Sequence, residues 1–347
     1  MKQLPLGRTD IMVSEWCLGT MTFGNQTPED DAHNQIDMAL DAGINFIDTA
    51  EMYPVNPIRA ETVGLSERII GNWIAKTGRR DEIVVATKVS GNNPGWVRDG
   101  RGYDGAVIRE AVDTSLKRLQ TDVIDVYQMH WPVRGSYMFR QNWTYDPSGQ
   151  DRQQTMDHML DVLGALDEMV KAGKIRAIGM SNESAWGMTK WIDQAETAGL
   201  PRMASVQNEY SLLCRLYDTD MAEMAVNEDV TLLSFSPLAC GLLTGKYQNG
   251  AVPEGSRLSL NGDLGGRVTE RLWPAVQAYL DLAAKHGLDP VHMAMAWQRT
   301  RPFAVSAIFG ATTSAQLTQI LDGRELVLPD EMIAEVDAVH KQFPMPY

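Results

Sequence analysis

Long apolar runs are missing from this 347-residue chain. No stretch approaches the roughly 18 residues of a membrane-crossing helix, and the opening MKQLPLGRTD has no apolar signal core. We therefore expect a cytoplasmic protein with no membrane partner. Cysteine is scarce: Cys17, Cys214 and Cys240 are three in number and unrelated in spacing, which excludes a disulfide framework or a metal knuckle and suits a reducing compartment. Positive charge is in deficit, with 31 Lys and Arg against 45 Asp and Glu and a formal net charge of −14. Such a surface repels a polyphosphate backbone, so nucleic acid is not an expected partner. A phosphate-bearing ligand would need local basic groups. There is no Gly-x-Gly-x-x-Gly, and no linker or low-complexity tract divides the chain.

What is present is a repeating alternation. Short β-branched runs occur at 13–20, 44–49, 83–89, 122–130, 175–181, 204–210, 230–236 and 304–310, with helical patterns between most of them. Thr27 and Pro28 read as a helix cap and first helical position, followed by a stripe of Ala32, Ile36, Ala39 and Leu40 that stops at Gly43. Val107, Ile108, Ala111, Val112, Ser115, Leu116 and Leu119 recur at three- and four-residue steps, as do Leu160, Leu163, Leu166 and Val170. Eight strand-helix units in one chain predict an α/β fold, a (β/α)8 TIM barrel over residues 1–347 as a single domain. QLPLGRTDIMVS, with Gly7-Arg8 in its turn, predicts a β-hairpin ahead of the first barrel strand.

Three connections, 90–104, 131–155 and 240–270, are too long to be simple joints. All follow strands, so all should overhang one rim. The second carries Trp131, Tyr137, Phe139, Trp143 and Tyr145, expected either to wall an apolar pocket or merely to cover the barrel edge.

Four titratable residues stand where a strand should hand over to a loop: Asp48 in NFIDTAEMY, Tyr53, Lys88 in IVVATKV and His130 in VIDVYQMH. Each alone has an ordinary reading: Asp48 as a cap, Tyr53 as a packed loop aromatic, His130 as a satisfied structural histidine. Lys88 is harder to dismiss, because an ammonium at the end of an apolar strand is costly to bury without a partner. Their joint placement after the second, third and fourth strands of a barrel favours a site. The chemistry they suggest is protonation of a carbonyl oxygen. Lys88 would favour the Tyr53 phenolate, Asp48 would hold Lys88, and His130 would orient the substrate oxygen. Such a group supplies a proton but no electrons, so a hydride donor is required, and nicotinamide is the obvious one.

These four residues resemble, in identity, order and strand placement, the catalytic tetrad of the aldo-keto reductase superfamily, and the resemblance runs across nearly the whole chain. It looks nearest the bacterial Tas-like reductases and more distantly resembles potassium-channel beta subunits. The resemblance implies a cofactor, NADPH, and a small-molecule carbonyl substrate touching Tyr53, His130 and Trp131. It implies cofactor contacts at Thr20, Met21 and Asp48, and at Ser181, Asn182 and Gln207 around the carboxamide. Phe235 would stack on the nicotinamide. Ser236, Pro237, Leu238 and Cys240 would line the pyrophosphate loop, with Lys246 and Arg257 in the loop closing over the cofactor. Gly310, Thr312, Gln316 and Gln319 in GATTSAQLTQI would hold the adenosine phosphate.

The last segment departs from the family by offering only neutral groups where many members carry lysine and arginine; Arg257 and a helix N-terminus near Ser314 are the substitutes. GLLTGK resembles a phosphate-binding loop, but Gly241 and Gly245 are one residue too close and Tyr247 replaces Ser or Thr, so nucleoside triphosphate is excluded. Two other classes stay open: an NADP(H)-binding regulatory subunit, suggested by the channel-subunit resemblance, and a barrel aldolase or isomerase using Lys88 as a Schiff-base nucleophile.

Overall fold

The computed structural model describes residues 1–347. A hairpin of β1 (Gln3–Pro5) and β2 (Met12–Ser14) precedes eight strands: β3 (Trp16–Gly19), β4 (Phe46–Asp48), β5 (Val84–Val89), β6 (Ile124–Met129), β7 (Ile175–Ser181), β8 (Met203–Glu209), β9 (Thr231–Phe235) and β10 (Val305–Phe309). These eight pair in parallel, each with the next, and β10 returns to β3 to close a barrel. The helices are α1 (Glu29–Asp41), α2 (Leu65–Thr77), α3 (Gly105–Leu119), α4 (Arg152–Lys171), α5 (Ala185–Ala198), α6 (Asp220–Asn227), α7 (Arg257–Leu260), α8 (Leu272–Lys285), α9 (Pro290–Gln298), α10 (Ser314–Asp322) and α11 (Asp330–Gln342). The fold is the (β/α)8 barrel, with the expected hairpin.

The hairpin is a plug. Leu6, Ile11 and Val13 pack with the inward-facing Cys17, Phe46, Val84, Ala86, Val126 and Leu233 into a dry cluster inside the barrel. Gly7 makes this possible: its φ of +55° suits the turn, and a Cβ there would lie 2.5 Å from the Ala204 carbonyl oxygen. The two-residue strand period then orders the interior. Above Phe46 the next inward position on β4 is Asp48; above Val84 and Ala86 on β5 it is Lys88; above Val126 on β6 come Gln128 and His130. An apolar floor thus carries a polar layer at the strands' C-terminal ends.

Helix stripes bury as their periodicity predicts, with two local corrections. Pro28, not Thr27, occupies the N-cap of α1, which starts at Glu29. Thr27 instead turns its hydroxyl toward the Thr312 carbonyl, 3.1 Å away, in the loop after β10. Leu160 points to solvent while Leu163 and Leu166 are buried, because α4 begins at Arg152 and offers the barrel only one face. The loop after β6 accordingly ends at Asp151, which caps α4 by accepting from the Gln154 amide.

Gly71 sits inside α2 where that helix crosses the end of α3. A Cβ there would lie 2.2 Å from the Arg118 carbonyl oxygen. Gly71→Ala gains about 1 kcal/mol of helix propensity, but overpacking against backbone costs about 1–3 kcal/mol and more when nothing can yield. A net loss of about 2 kcal/mol is expected, read from the urea midpoint.

Candidate active site

Within the polar layer, Lys88, Asp48, Gln128 and Gln207 form one connected hydrogen-bond network, and His130 stands beside it. Lys88 is fully buried, and its Nζ donates to Asp48 Oδ2 and to the Thr49 carbonyl, both at 2.7 Å. Asp48 Oδ1 accepts from Gln207 Nε2 at 2.8 Å and, at 3.4 Å, from Gln128 Nε2. Both carboxylate oxygens are therefore occupied. Lys88 Nζ lies 5.1 Å from the centre of the half-buried Tyr53 ring, whose edge meets His130 at a ring separation of 5.7 Å. The structure brings all four predicted residues together.

Their proton affinities follow from this packing. Burial, the largest influence, pushes the Lys88 ammonium down, but the charge and hydrogen bond of Asp48 together with Tyr53 hold the group above its ordinary value. Burial raises the Tyr53 phenol, and Lys88 opposes that rise without reversing it. This corrects the expectation of a favoured phenolate: in this pocket desolvation wins, and the phenol stays protonated at neutrality. His130 is driven well below its usual range by burial and then by Lys88, so its imidazole is neutral. No protein group bonds its buried Nδ1.

Beside the quartet, Ser181 Oγ donates to the Gln207 carbonyl at 2.8 Å, and Asn182 Nδ2 donates to the His130 carbonyl at 2.9 Å. Asn182 adopts φ +54°, and its buried Oδ1 has no donor. A buried acceptor left unpaired is uncommon and calls for an explanation. An amide N–H of a bound group would satisfy it. Phe235 ends β9 half-exposed on the same rim, followed by Ser236, Pro237 and Leu238, then Ala239 and Cys240 at positive φ. Burial would raise the Cys240 thiol, yet Arg267 and Arg257 hold it below its ordinary value.

Other residues expected at the site have different engagements. Lys246 is exposed, its ammonium over the Tyr247 ring. Arg257 reaches back to the loop after β4: the Asn56 amide oxygen accepts from its Nε and Nη2 at 3.0 Å, and its Nη1 lies 3.6 Å from Met21 Sδ. Thr20 bonds the Asp48 carbonyl rather than facing outward. Near α10, Gln316 Oε1 accepts from the Thr312 amide, and Gln319 Nε2 donates to Asp289. Gly310 lies exposed between β10 and that segment. The start of α10 also holds an acid, since Ser314 Oγ donates to Asp31.

The loop aromatics divide. Trp131 tilts against His130 at 4.8 Å, and Phe139 meets Trp131 edge-on at 6.0 Å. Tyr137 and Phe139 line a shallow, partly open apolar cleft that also reaches Asn182. The expected pocket over the quartet is thus a cleft beside it. Trp143 is exposed under Arg271, and Tyr145 bonds Gln150; neither lines the cleft.

Several supporting residues escape a search for titratable groups at strand ends. Gln128 is one, legible only as the inward neighbour two residues before His130. Buried Glu51 accepts from the Ser90 amide and from both terminal nitrogens of Arg98, tying the loop after β4 to the loop after β5. Buried Glu183 receives Arg134 Nη1 at 2.9 Å, fixing the loop after β6 to Asn182's neighbour.

A model of the Aldo/keto reductase family matches residues 15–341. The chain belongs to the aldo/keto reductase family. This aldo/keto reductase is 46% identical over 344 residues to Protein tas of Escherichia coli K12, with 97% of each chain covered. It is 32% identical to Aldo-keto reductase YhdN of Bacillus subtilis, covering 88% of this chain and 82% of that one. It is also 29% identical to a probable voltage-gated potassium channel subunit beta of Arabidopsis thaliana, covering 93% and 90%. Aldo/keto reductases are oxidoreductases that in general reduce carbonyl compounds with a nicotinamide cofactor. In this one, no helix is long and apolar enough to cross a membrane.

Proposed function

We propose that this protein reduces an aldehyde or ketone to the alcohol with NADPH, Tyr53 acting as the general acid. The observation that carries this reading is the buried ammonium of Lys88, 2.7 Å from Asp48 and beside the Tyr53 ring. A paired lysine in that position has no packing role that an apolar side chain would not serve better. It is explained if its charge steadies the anion left when Tyr53 gives up its proton. His130, neutral and with ring nitrogens free of protein partners, orients the carbonyl oxygen toward the phenol, and Trp131 closes one side of that position.

The residues fit a nicotinamide cofactor at its carboxamide end. Asn182 Oδ1 is a buried acceptor awaiting an N–H, with Ser181 and Gln207 alongside and Phe235 available for stacking. Ser236, Pro237, Leu238 and Cys240 would follow the pyrophosphate, with Met21, Lys246 and Arg257 closing over it. Gly310, Thr312, Gln316 and Gln319 would take the adenosine end. When bound, the cofactor supplies the hydride; every proton step belongs to the side chains above.

Mixing the protein with NADPH and a panel of aldehydes is expected to consume NADPH at 340 nm. The rate should stay flat between about pH 7 and 9, because His130 titrates below the usual ~6.5 and Tyr53 above the usual ~10. It should fall only in strong alkali, where the phenol ionises. Tight NADPH binding with no turnover on any carbonyl would favour the regulatory reading that the channel-subunit likeness suggests. Borohydride trapping of a substrate on Lys88 would favour the Schiff-base one.

A further inference from the structure

Tyr53 stands beyond the end of β4, so strand pairing in the barrel does not place it. The last backbone bond from this segment to β5 runs from the Glu51 amide to the Lys88 carbonyl at 3.1 Å, after which the chain turns and the Tyr53 amide bonds back to the Ala50 carbonyl at 3.0 Å. The ring then leans on a small apolar roof of Ala50, Met52, Val55 and Val97, with Trp96 and Trp131 packed against the same cluster. Four buried side chains give a loop little hold by themselves, and segments with so few buried contacts open readily. The base of the roof holds an ion pair. Glu51 Oε1 accepts from the Ser90 amide at 2.6 Å and from Arg98 Nη2 at 2.8 Å, Oε2 accepts from Arg98 Nη1 at 2.8 Å, and Arg98 Nη2 also donates to the Ser90 carbonyl at 3.0 Å. The two side chains are 4% and 16% exposed. Such a fork fixes direction as well as distance. Arg98 and Asp99 are consecutive non-glycine residues at φ +50° and +52°, a strained conformation that persists only where the surroundings over-determine it. Stability alone does not account for the pair, since apolar side chains of similar volume commonly serve as well. The loop carrying Arg98 reaches the substrate side too: the Asn92 carbonyl accepts from Trp131 Nε1 at 3.0 Å, and a Cβ on Gly91 would lie 2.4 Å from the Trp131 ring.

We propose that Glu51 and Arg98 are positioning residues for Tyr53: their fork locks the loop after β4 onto the loop after β5 and so sets the phenol against Lys88. Glu51 lies two residues before Tyr53, and Ser90 lies two residues after Lys88. The Glu51 side-chain bond to Ser90 and its backbone bond to Lys88 therefore tie the two loops on either side of the phenol and the ammonium. Without the fork, the turn at residues 50–53 keeps its backbone bonds but can swing with the roof above it. This assignment rests on Tyr53 as the general acid, proposed above, and adds what holds that acid in place.

The test follows Tyr53 directly by carbon NMR of protein labelled at the tyrosine Cζ. The chain has 10 tyrosines, and the Tyr53 line is the one that Tyr53→Phe removes. Arg98→Met alone would strand the buried Glu51 charge, so the main variant combines it with Glu51→Gln, which leaves no charge unanswered and keeps an acceptor for the Ser90 amide. In this double variant the urea midpoint is expected to stay near the parent's, while the Tyr53 line shifts or broadens and that of Tyr279 on α8 does not. A merely structural pair would leave both lines in place once the fold is stable. On the NADPH-loaded protein, kcat for a reactive aldehyde should fall about tenfold or more with KM changed by less than about threefold, because a misplacement of about 1 Å can remove up to about 10²-fold of rate. Arg98→Lys, which keeps the charge without the fork, should move the line and lower kcat in the same sense, and it carries the test if the double variant does not fold. A Tyr53 line that moves in a protein reducing no carbonyl leaves the positioning role standing and removes carbonyl reduction. An unmoved Tyr53 line in the folded variants, or a moved line with kcat unchanged, overturns the assignment.

Discussion

Tyr53→Phe is expected to lower kcat/KM for a reactive aldehyde by about 10²–10⁴-fold, the usual contribution of one positioned proton donor. The affinity for NADPH should stay within a few-fold of the parent protein's. The substitution removes one hydroxyl and leaves the ring that meets His130 edge-on, so the pocket keeps its shape. Lys88 keeps its two acceptors, the Asp48 carboxylate and the Thr49 carbonyl, so no buried charge is stranded. The loss should therefore appear in kcat more than in KM, since the missing proton matters in the transition state and little in the ground state. Fluorescence titration with NADPH and steady-state kinetics on one preparation would separate the two. Turnover retained within a factor of a few would remove Tyr53 from the mechanism.

Asp48→Asn is expected to do something different: to destabilise the whole fold. Asp48 is 2% exposed and supplies the countercharge for a lysine that solvent does not reach. Taking away one partner of a buried ion pair costs about 3–5 kcal/mol, because the other is left desolvated and unanswered. The amide also cannot accept equally at both ends, so either Lys88 or Gln207 loses its partner. The measurement is the denaturant midpoint. Adding Lys88→Met to Asp48→Asn should recover a large part of the loss, since an apolar side chain of similar reach removes the uncompensated charge. A double variant as unstable as the sum of the two singles would mean that the pair does not act as a unit.

The architecture was legible in the chain because the barrel repeats one pattern eight times, and each repeat reads locally. The quartet was legible for a related reason: Lys88 and His130 are ionisable residues at the ends of runs that otherwise bury everything. What escaped was whatever depends on contacts distant in sequence. Nothing in the local pattern around Glu209 distinguishes it from any polar residue at a strand end, although it joins the loop after β6, the loop after β9 and the C-terminal tyrosine. Thr27 was misread because the best capping side chain nearby was drawn into a bond to Thr312 in the loop after the neighbouring strand β10. Leu160 follows the helical period of its neighbours, yet α4 turns it outward. The direction of the Tyr53 shift could not be read from Lys88 alone, since the degree of desolvation is a property of the folded pocket.

The hairpin beneath the barrel has a consequence for proton traffic. With Leu6, Ile11 and Val13 filling the lower bore, no water column can rise along the axis to Lys88. A proton spent in the proposed reduction would have to be replaced from the loop side, past the same segments that would admit the reactants. Refilling and release then share one doorway, and a lodger that lingers there delays both.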